Sequence, residues 1–370
     1  MRSFVKASVP AAARTLDAAW YLSSEIFERE RERIFARSWI CAGRTEQIRE
    51  PGAFFTAQVA GESLIVTSDQ DGRPHAFYNV CRHRGTRMCQ ERAGTFKGSI
   101  QCPYHAWTYA LDGTLLAARN MDGTPGFDRH DYPLREAHVV DFEGFLFVAL
   151  DPNEPFAGAF APIVGRFDAW HIASLRSAAR IEYDLACNWK LVFQNYSECY
   201  HCPVIHPQLE KLSASESGRN DLLEGPFLGG YSTLRDEDGS LTNSGRSARA
   251  PLPGLPAQER GRVYYYTIFP SLLLSLHPDY VMAHYVDPLD PTHTRVRCEW
   301  FFDADTAGQP EFDPSDAVEF WDLTNRQDWH VNELTQAGIA SRAYVPGPYS
   351  QQEGLLHAFD RHYLEIAGAE

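Results

Sequence analysis

Two short Cys–His pairs carry the clearest chemical signal in this chain of 370 residues. Cys81 and His83 form a Cys-x-His pair, Cys102 and His105 form a Cys-x2-His pair, and eighteen residues separate the two pairs. Each pair lies where a predicted strand runs into a loop, so each loop can offer one sulfur and one imidazole. Such a ligand set suits a [2Fe–2S] cluster in which the histidines bind one iron and the cysteines bind the other.

A structural zinc site is the alternative, because two cysteines and two histidines also make a zinc ligand set. Zinc fingers usually group cysteine with cysteine and histidine with histidine, whereas here each loop carries one of each. The order and spacing of the ligands therefore favour the iron–sulfur interpretation. Cys89, between the two pairs, is expected to pack as a small hydrophobic residue.

A second pair of histidines, His201 and His206, could bind another metal ion. The two are five residues apart and would not align on one straight helix. Pro203 between them is expected to end or bend the helix, which could direct both imidazoles at one ion. A carboxylate would complete a two-histidine, one-carboxylate set with positions left open for O2 and substrate. Cys199 and Cys202, which flank His201, are expected to pack rather than to bind iron.

The carboxylate is harder to place, since acids are common in the predicted C-terminal helix. The candidates are Asp322, Asp328 and Glu333. A lone acid on a helix is most often solvated surface, so the residue types alone leave this choice open.

Other groups give a weaker signal. The aromatic run Tyr264–Tyr266 with Phe269, together with residues 277–279, could line a pocket, although such aromatic residues more often belong to a core. The remaining histidines without a ligand-like partner are expected to be structural or surface residues: His277, His284 and His330.

The elements that must position these residues follow from the hydrophobic periodicity. Apolar residues at helical spacing among alternating charges predict an amphipathic helix over residues 24–39. From residue 39 to about residue 150, short apolar runs broken by Gly, Pro and Asp predict a small, mostly antiparallel β domain. Both Cys–His loops fall within this domain.

A second domain is predicted to open with a strand over residues 179–194 that runs into a helical stretch over residues 195–201. Residues 211–262 are rich in Ser, Gly, Pro, Asp and Arg and are expected to form a long, partly mobile loop. Strands then return, and a helix is predicted over residues 313–340. Strands followed by a packed helix indicate an α+β domain with an antiparallel sheet.

Composition excludes several classes of function. The chain has 34 Lys and Arg against 49 Asp and Glu, a formal charge of −15 that argues against nucleic acid or anionic lipid as a partner. No apolar run is long enough for a membrane-spanning helix, and the N-terminus lacks the apolar core of a signal peptide. We therefore expect a cytoplasmic protein with reduced thiols.

The segment NVCRHRGTRMCQERAGTFKGSIQCPYHAWTY resembles the cluster-binding motif of Rieske-type proteins. Within that group, the chain is similar to the catalytic α subunits of Rieske non-heme iron oxygenases from about residue 39 to residue 363. The resemblance implies an N-terminal helical segment (1–38) that packs on the catalytic domain, an all-β Rieske domain (39–155) and a catalytic domain (156–370). It also implies that the catalytic sheet is covered by helices in a helix-grip fold of the START/Bet v1 type.

The resemblance also implies roles for individual residues. In the family, an acid precedes a Gln-x-Gly by a little over two turns and binds iron with two histidines; Asp328, eight residues before Gln336, matches that position. Glu333 and Asp322 remain the alternatives. Glu198 stands where the family has an acid that links subunits, which implies an electron path from His105 to Glu198 to His201 across a trimer interface. A salt bridge or a place on the helix surface is the alternative role of Glu198.

The implied activity is that of a terminal oxygenase supplied with NADH or NADPH electrons by a flavin and [2Fe–2S] reductase. The segments NWKLVFQNYSECYHCPVIHP and HPDYVMAHYV are most similar to the glycine betaine, stachydrine, carnitine and choline monooxygenase branch. This implies hydroxylation of a C–H bond next to a quaternary or tertiary nitrogen. The alternatives are an aromatic-ring hydroxylase or O-demethylase on the same scaffold and, more distantly, an electron-transfer protein without oxygenase activity.

Overall fold

The computed structural model describes residues 3–368. It divides them into a smaller unit, Arg31–Ala159, and a larger unit formed by the other described residues. In chain order, the α-helices are α1 (Ala19–Leu22), α2 (Ser24–Glu30), α3 (Phe156–Ala159), α4 (Trp189–Tyr196), α5 (Cys202–Ile205), α6 (Pro207–Leu212), α7 (Ala304–Ala307), α8 (Ser315–Ile339) and α9 (Gly354–Ala367).

The smaller unit is built from short strands. These are β1 (Ile40–Arg44), β2 (Ala53–Val59), β3 (Glu62–Ser68), β4 (Pro74–Tyr78), β5 (Ala93–Thr95), β6 (Ile100–Gln101), β7 (Thr108–Tyr109), β8 (Leu115–Ala117), β9 (Glu136–Phe142) and β10 (Phe145–Ala149). One antiparallel sheet has the order β1-β10-β9-β4-β3-β2-β5, and a second has the order β6-β7-β8. The first Cys–His loop follows β4, and the second joins β6 to β7.

The larger unit contains one antiparallel sheet in the order β11-β17-β16-β15-β14-β13-β12. Its strands are β11 (Arg176–Leu185), β12 (Arg219–Glu224), β13 (Phe227–Thr233), β14 (Arg262–Ile268), β15 (Leu272–Leu276), β16 (Val281–Asp290) and β17 (His293–Phe302). The long helix α8 contacts β11, and α4 contacts both α8 and α9. The predicted α+β class, with a small β unit and an antiparallel catalytic sheet, is confirmed.

Helix α4 is fixed by its cap and by a buried ion pair. The side chain of Asn188 accepts a hydrogen bond from the backbone N–H of Lys190, which begins the helix. The Lys190 ammonium lies 2.6 Å from a carboxylate oxygen of Glu30 on α2, and both side chains are almost completely buried. The same carboxylate accepts hydrogen bonds from the Trp189 indole and from the Tyr363 hydroxyl. Four residues of α2, α4 and α9 thus form one buried cluster.

Three local predictions are wrong. The strand expected over 179–194 ends at Leu185, and the following apolar run forms α4, because a short apolar run fits either element. The helix expected over 195–201 ends at Tyr196. The stretch 211–262 is not one loop, since β12 and β13 lie within it.

The helix predicted over 24–39 is α-helical over Ser24–Glu30 and π-helical over Arg31–Phe35. Between residues 3 and 368, no helix combines the length and the apolar character that crossing a bilayer requires.

Candidate metal centres and cavity

The two Cys–His loops are tight turns with the cysteine at the base. The Cys81 N–H donates to the Thr86 carbonyl at 2.8 Å, and the Gly85 N–H donates to the Cys81 carbonyl at 3.1 Å. In the second loop, the Cys102 N–H donates to the Trp107 carbonyl at 2.8 Å. Gly85 has φ +74°, a left-handed conformation that glycine adopts without strain. These bonds fix the backbone from which all four proposed ligands project.

The sulfur and nitrogen donors differ in burial. Cys81 and Cys102 are 2% and 3% exposed, whereas His83 is exposed and its ring centroid lies 4.8 Å from that of His105. Burial raises the pKa of the Cys81 thiol, so a metal cation is needed to hold it as thiolate. Two buried sulfurs and two outward imidazoles fit a [2Fe–2S] cluster whose cysteine-bound iron is buried and whose histidine-bound iron lies near the surface.

Aromatic residues that follow the second loop pack against the candidate ligands of the first loop. The indole of Trp107 stacks on the His83 ring with a centroid separation of 4.8 Å, and the hydroxyl of Tyr109 lies 3.5 Å from the Cys81 sulfur. Cys89 is buried in the same core, as expected, and keeps a free thiol.

In the larger unit, His201, His206 and Asp328 come together. One ligand atom from each lies within 4.8 Å of the other two. Oδ1 of Asp328 is 3.3 Å from Nε2 of His201 and 2.8 Å from Nε2 of His206. The histidines flank α5, whose first turn contains Pro203, and Asp328 lies on α8. Two imidazoles and one carboxylate on one face fit an Fe(II) site with open positions.

The other nitrogen of each imidazole has its own partner. Nδ1 of His201 is 2.5 Å from Oε1 of Glu198, and Nδ1 of His206 is 2.8 Å from Oε1 of Gln327. Both partners accept a hydrogen bond from Nδ1–H in the tautomer that leaves each Nε2 lone pair to a metal ion. Such outer contacts orient metal-binding histidines and raise their basicity.

The charges of this site favour a cation. Burial alone lowers the pKa of His201, but hydrogen bonds to Asp328 and Glu198 outweigh burial and raise that pKa to about 10. Burial alone raises the pKa of Asp328, yet the two imidazoles hold it below its usual value. The carboxylates therefore attract positive charge at this point, which a divalent ion can supply in place of protons.

The alternative carboxylates have other partners. Asp322 accepts hydrogen bonds from the Tyr183 hydroxyl at 2.8 Å and from Arg326 at 2.9 Å. Glu333 accepts from the backbone N–H of Ala186 at 3.0 Å. Neither belongs to the group of His201, His206 and Asp328.

A cavity of about 330 Å³ in the larger unit includes the three candidate ligands in its wall. Rings of Tyr196, Tyr265 and Trp321 also line it, and the Tyr265 centroid lies 6.0 Å from that of Tyr196 and 6.4 Å from that of Trp321. A ligand in this cavity would meet aromatic faces beside the metal ligands. The volume suits a small organic molecule.

The aromatic run on β14 alternates, as a strand requires. Tyr265 lines the cavity, whereas the hydroxyls of Tyr264 and Tyr266 donate to Glu259 and Asp221. The cavity wall does not include Phe269 or residues 277–279. The ring of His277 is fully buried and stacks on Tyr280 at 4.1 Å.

The other two histidines without a predicted ligand role also lie outside the cavity wall. His284 is buried and lies 3.1 Å from the Asn325 side chain, while His330 is exposed on α8.

The expectation that Cys199 and Cys202 pack as separate thiols is wrong. The two sulfurs form a disulfide with a Cα–Cα distance of 5.0 Å, and both residues line the cavity on either side of His201 in sequence. The turn between α4 and α5 brings them together, since the N–H of Cys202 donates to the Cys199 carbonyl at 3.3 Å.

Sequence reasoning missed three parts of this site. Gln327 carried no signal of its own, although it directly precedes Asp328. In the sequence, Tyr196 and Trp321 cannot be told from ordinary core residues. Lys6 lines the cavity from the N-terminal segment, and only the folded structure places it there.

Comparisons with known proteins agree with this geometry. A family described as "Ring hydroxylating alpha subunit (catalytic domain)" matches residues 172–369, and one described as "Rieske [2Fe-2S] domain" matches residues 38–128. The glycine betaine monooxygenase oxygenase subunit of Pseudomonas aeruginosa is 31% identical over 94% of this chain and 87% of its own length.

Solved structures match nearly the whole chain. The quaternary ammonium Rieske monooxygenase CntA in complex with L-carnitine has a TM-score of 0.77 and 27% identity, with 96% of each chain covered. A quaternary ammonium Rieske monooxygenase described in terms of carnitine oxidation and inter-subunit electron transfer has a TM-score of 0.80 and 26% identity, covering 98% of this chain and 99% of that one.

Proposed function

Because this chain belongs to the ring-hydroxylating α-subunit family of Rieske oxygenases, we propose that it hydroxylates a C–H bond beside the nitrogen of a quaternary or tertiary ammonium compound. The observation that carries this proposal is the opening of the His201, His206 and Asp328 group into a cavity walled by aromatic rings. Aromatic faces attract onium groups, so the wall can hold the cationic nitrogen beside the metal.

The reaction consumes O2, two electrons and two protons, and yields the hydroxylated product and water. When bound, the cluster held by Cys81, His83, Cys102 and His105 supplies the electrons, and the iron held by the second group activates O2. Hydroxylation of an N-methyl group gives a carbinolamine, which collapses to formaldehyde and the demethylated amine. The cavity wall orients the onium so that one such carbon faces the metal ligands.

We assign the inter-subunit link to Glu198. One of its carboxylate oxygens accepts from Nδ1 of His201, and the other accepts the backbone N–H groups of Tyr200 and His201. These bonds fix the carboxylate against His201, and its proposed second partner is His105 of the partner subunit. The inter-subunit electron transfer described for a solved relative supports this path. The assembly would be a homotrimer, in which each cluster serves the neighbouring iron.

The electrons would come from a separate flavin and [2Fe–2S] reductase that oxidises NADH or NADPH. We place the protein in the cytoplasm, where such reductases and their nicotinamide donors are found. Residues 39–155 would act as the cluster domain and residues 156–370 as the catalytic domain, with an N-terminal helical segment over residues 1–38.

A substrate panel tests the proposed activity. The iron-loaded protein and a surrogate reductase are supplied with NADH, O2 and one candidate, and formaldehyde and O2 uptake are measured. The candidates are glycine betaine, L-carnitine, choline, an aryl methyl ether and naphthalene. We expect formaldehyde from at least one onium compound. Turnover of an aromatic compound with none from any onium compound would instead establish a ring hydroxylase or O-demethylase.

Metal analysis tests the distant alternative of an electron carrier without oxygenase activity. About three irons per chain are expected for the oxygenase, because the cluster holds two and the second site holds one, against about two for an electron carrier.

A further inference from the structure

The N-terminal segment forms part of the cavity wall. Lys6 and Ala7 both line the cavity. The neighbouring Val5 exchanges two backbone hydrogen bonds with Asn220 on the edge strand β12, at 2.9 Å and 2.7 Å. The ring of Phe4 lies 4.9 Å from that of Tyr231 on β13. Lys6 therefore extends from backbone that is anchored to the catalytic sheet.

The charges around the cavity are unevenly placed. Its wall contains three carboxylates, those of Glu198, Glu216 and Asp328, and among the described residues Lys6 is its only lysine or arginine. Glu198 and Asp328 are both hydrogen-bonded to the imidazole of His201. Lys6 is exposed, and no hydrogen bond or ion pair joins its ammonium to another residue in the part of the chain that the structure describes. Its charge is available to a ligand.

We propose that Lys6 binds the carboxylate of a zwitterionic onium substrate, a subsite that rests on the proposed function. A betaine-type substrate must place its cationic nitrogen near the metal and its carboxylate elsewhere, because Glu198 and Asp328 repel a second anion at the metal end. Lys6 offers the single positive charge along the wall. Neutral donors of the same wall, among them the side chains of Asn220, Ser215 and Ser232, can share the carboxylate without opposing its charge.

Glu216 provides a test of whether the charge of Lys6 is what binds the substrate carboxylate. It lines the same cavity and is exposed, like Lys6, but carries the opposite charge. If a substrate carboxylate lies near Lys6, Glu216 weakens its binding, and neutralising Glu216 should strengthen it. A purely structural role of Lys6 would produce no such reversal.

The experiment compares two matched pairs of ligands, L-carnitine with L-carnitinamide and glycine betaine with its amide. Each pair shares the onium group, and the amide replaces the carboxylate with a neutral group of similar size. Dissociation constants are measured by calorimetry on the full-length, iron-loaded protein without O2. The variants are Lys6→Met, Lys6→Arg and Glu216→Gln. Lys211→Met is the matched control, since Lys211 is an exposed lysine outside the cavity wall.

We expect Lys6→Met to raise the Kd of the carboxylate ligand about two- to fivefold, the upper part of the range for a solvent-accessible ion pair, and to leave the Kd of the amide nearly unchanged. Lys6→Arg should restore most of the affinity, Glu216→Gln should lower the Kd of the carboxylate ligand, and Lys211→Met should change neither ligand. Added salt should weaken binding of the carboxylate ligand to the wild type, because salt screens the charge of Lys6. The same salt should not weaken this binding in Lys6→Met.

The Lys6 assignment would be overturned if the wild type bound the acid and the amide equally. It would also be overturned if Lys6→Met lost the same affinity for both ligands. Turnover of choline or of the amides alongside that result would leave the proposed onium oxygenase intact. A wild type that neither binds nor turns over any onium compound would overturn both proposals.

Discussion

Oε1 of Glu198 lies 2.5 Å from Nδ1 of His201, so an acid and a proposed iron ligand form one hydrogen-bonded unit. Helix α4 ends at Tyr196 and α5 begins at Cys202, so this contact is made by a turn between two helices rather than along one helix. Both carboxylate oxygens of Glu198 are hydrogen-bonded within this turn, and its side chain is only 10% exposed.

Glu198→Gln should keep both metals and lower steady-state turnover about 100-fold. The amide oxygen can still accept a hydrogen bond from Nδ1 of His201 and hold this ligand, but the negative charge that would link His201 to His105 of the partner subunit is lost. The measurement combines iron analysis with turnover and with the rate at which the reduced cluster is reoxidised by O2 and substrate. Near-normal turnover with full iron content would exclude the link.

His201→Ala should remove the mononuclear iron and keep the visible absorption of the cluster. The expected iron content falls from about three to about two per chain, because the proposed cluster ligands lie in the smaller unit. The matched change His330→Ala alters an exposed histidine of α8 and should leave about three irons. Loss of the cluster absorption in His201→Ala would contradict the assignment of separate sites.

Gln327→Leu should weaken iron binding about 10- to 100-fold, the usual cost of losing an outer partner of a metal-binding histidine. The Gln327 oxygen accepts from Nδ1 of His206 and also from the amide of Gln208, each at 2.8 Å. Without it, the imidazole can rotate or change tautomer. Gln327→Glu keeps an acceptor at this position and serves as the control. Chelator competition followed by iron analysis gives the affinity, and equal affinities of Gln327→Leu and wild type would contradict this role.

His277→Phe should make stability less sensitive to acid. Burial lowers the pKa of His277 well below its usual value, and neither of its ring nitrogens has a hydrogen-bond partner in the described chain. As pH falls through about 6.5, His277 gains a proton in the unfolded chain but not in the folded chain. The free energy of unfolding is therefore highest above this pH and decreases below it.

Below about pH 6.5 the loss is about 1.4 kcal/mol per pH unit for one proton, and Phe at this position removes it. Urea unfolding of both proteins at pH 7.5 and at pH 5 measures the difference, which should reach about 2 kcal/mol. Identical pH dependence in the two proteins would show that His277 takes no part in it.

Glu30→Ala should destabilise the larger unit by about 3–5 kcal/mol, since it leaves the Lys190 ammonium buried without a carboxylate. Burial alone already lowers the pKa of Lys190, and Glu30 opposes that effect. The double variant Glu30→Leu with Lys190→Met removes both charges and should be closer to the wild type. Denaturant unfolding measures both, and a double variant less stable than Glu30→Ala would contradict this account.

The sequence predicted the residues whose chemistry is local. Cys81, His83, Cys102 and His105 stand out by type and spacing, and each pair lies on one loop. The family resemblance singled out Asp328 among three acids, through its spacing from Gln336. Gln336 accepts a hydrogen bond from the backbone N–H of Asn188, so this glutamine lies against the start of α4.

The parts that were missed depend on long-range contacts. Gln327 reaches His206 across 121 residues, and a neutral amide beside an acid has no distinctive pattern. Lys6 reaches the cavity only because Val5 pairs with Asn220. Strand β12 was obscured by its polar composition, since an edge strand buries little of its surface, and β13 was obscured by the two glycines at its centre. The side-chain cap of Asn188 was the one local signal that could have placed α4 correctly.

The bond between Cys199 and Cys202 closes a small covalent ring that contains His201. A thiol reductant opens this ring and an oxidising buffer closes it, so the two treatments give two chemically different forms of the protein. A preparation that holds both forms would contain two populations of catalytic centre, which would appear as biphasic progress curves or as fractional metal occupancy. The forms differ by two hydrogens, about 2 Da, and thiol alkylation followed by intact-mass analysis would count each population before any rate is compared.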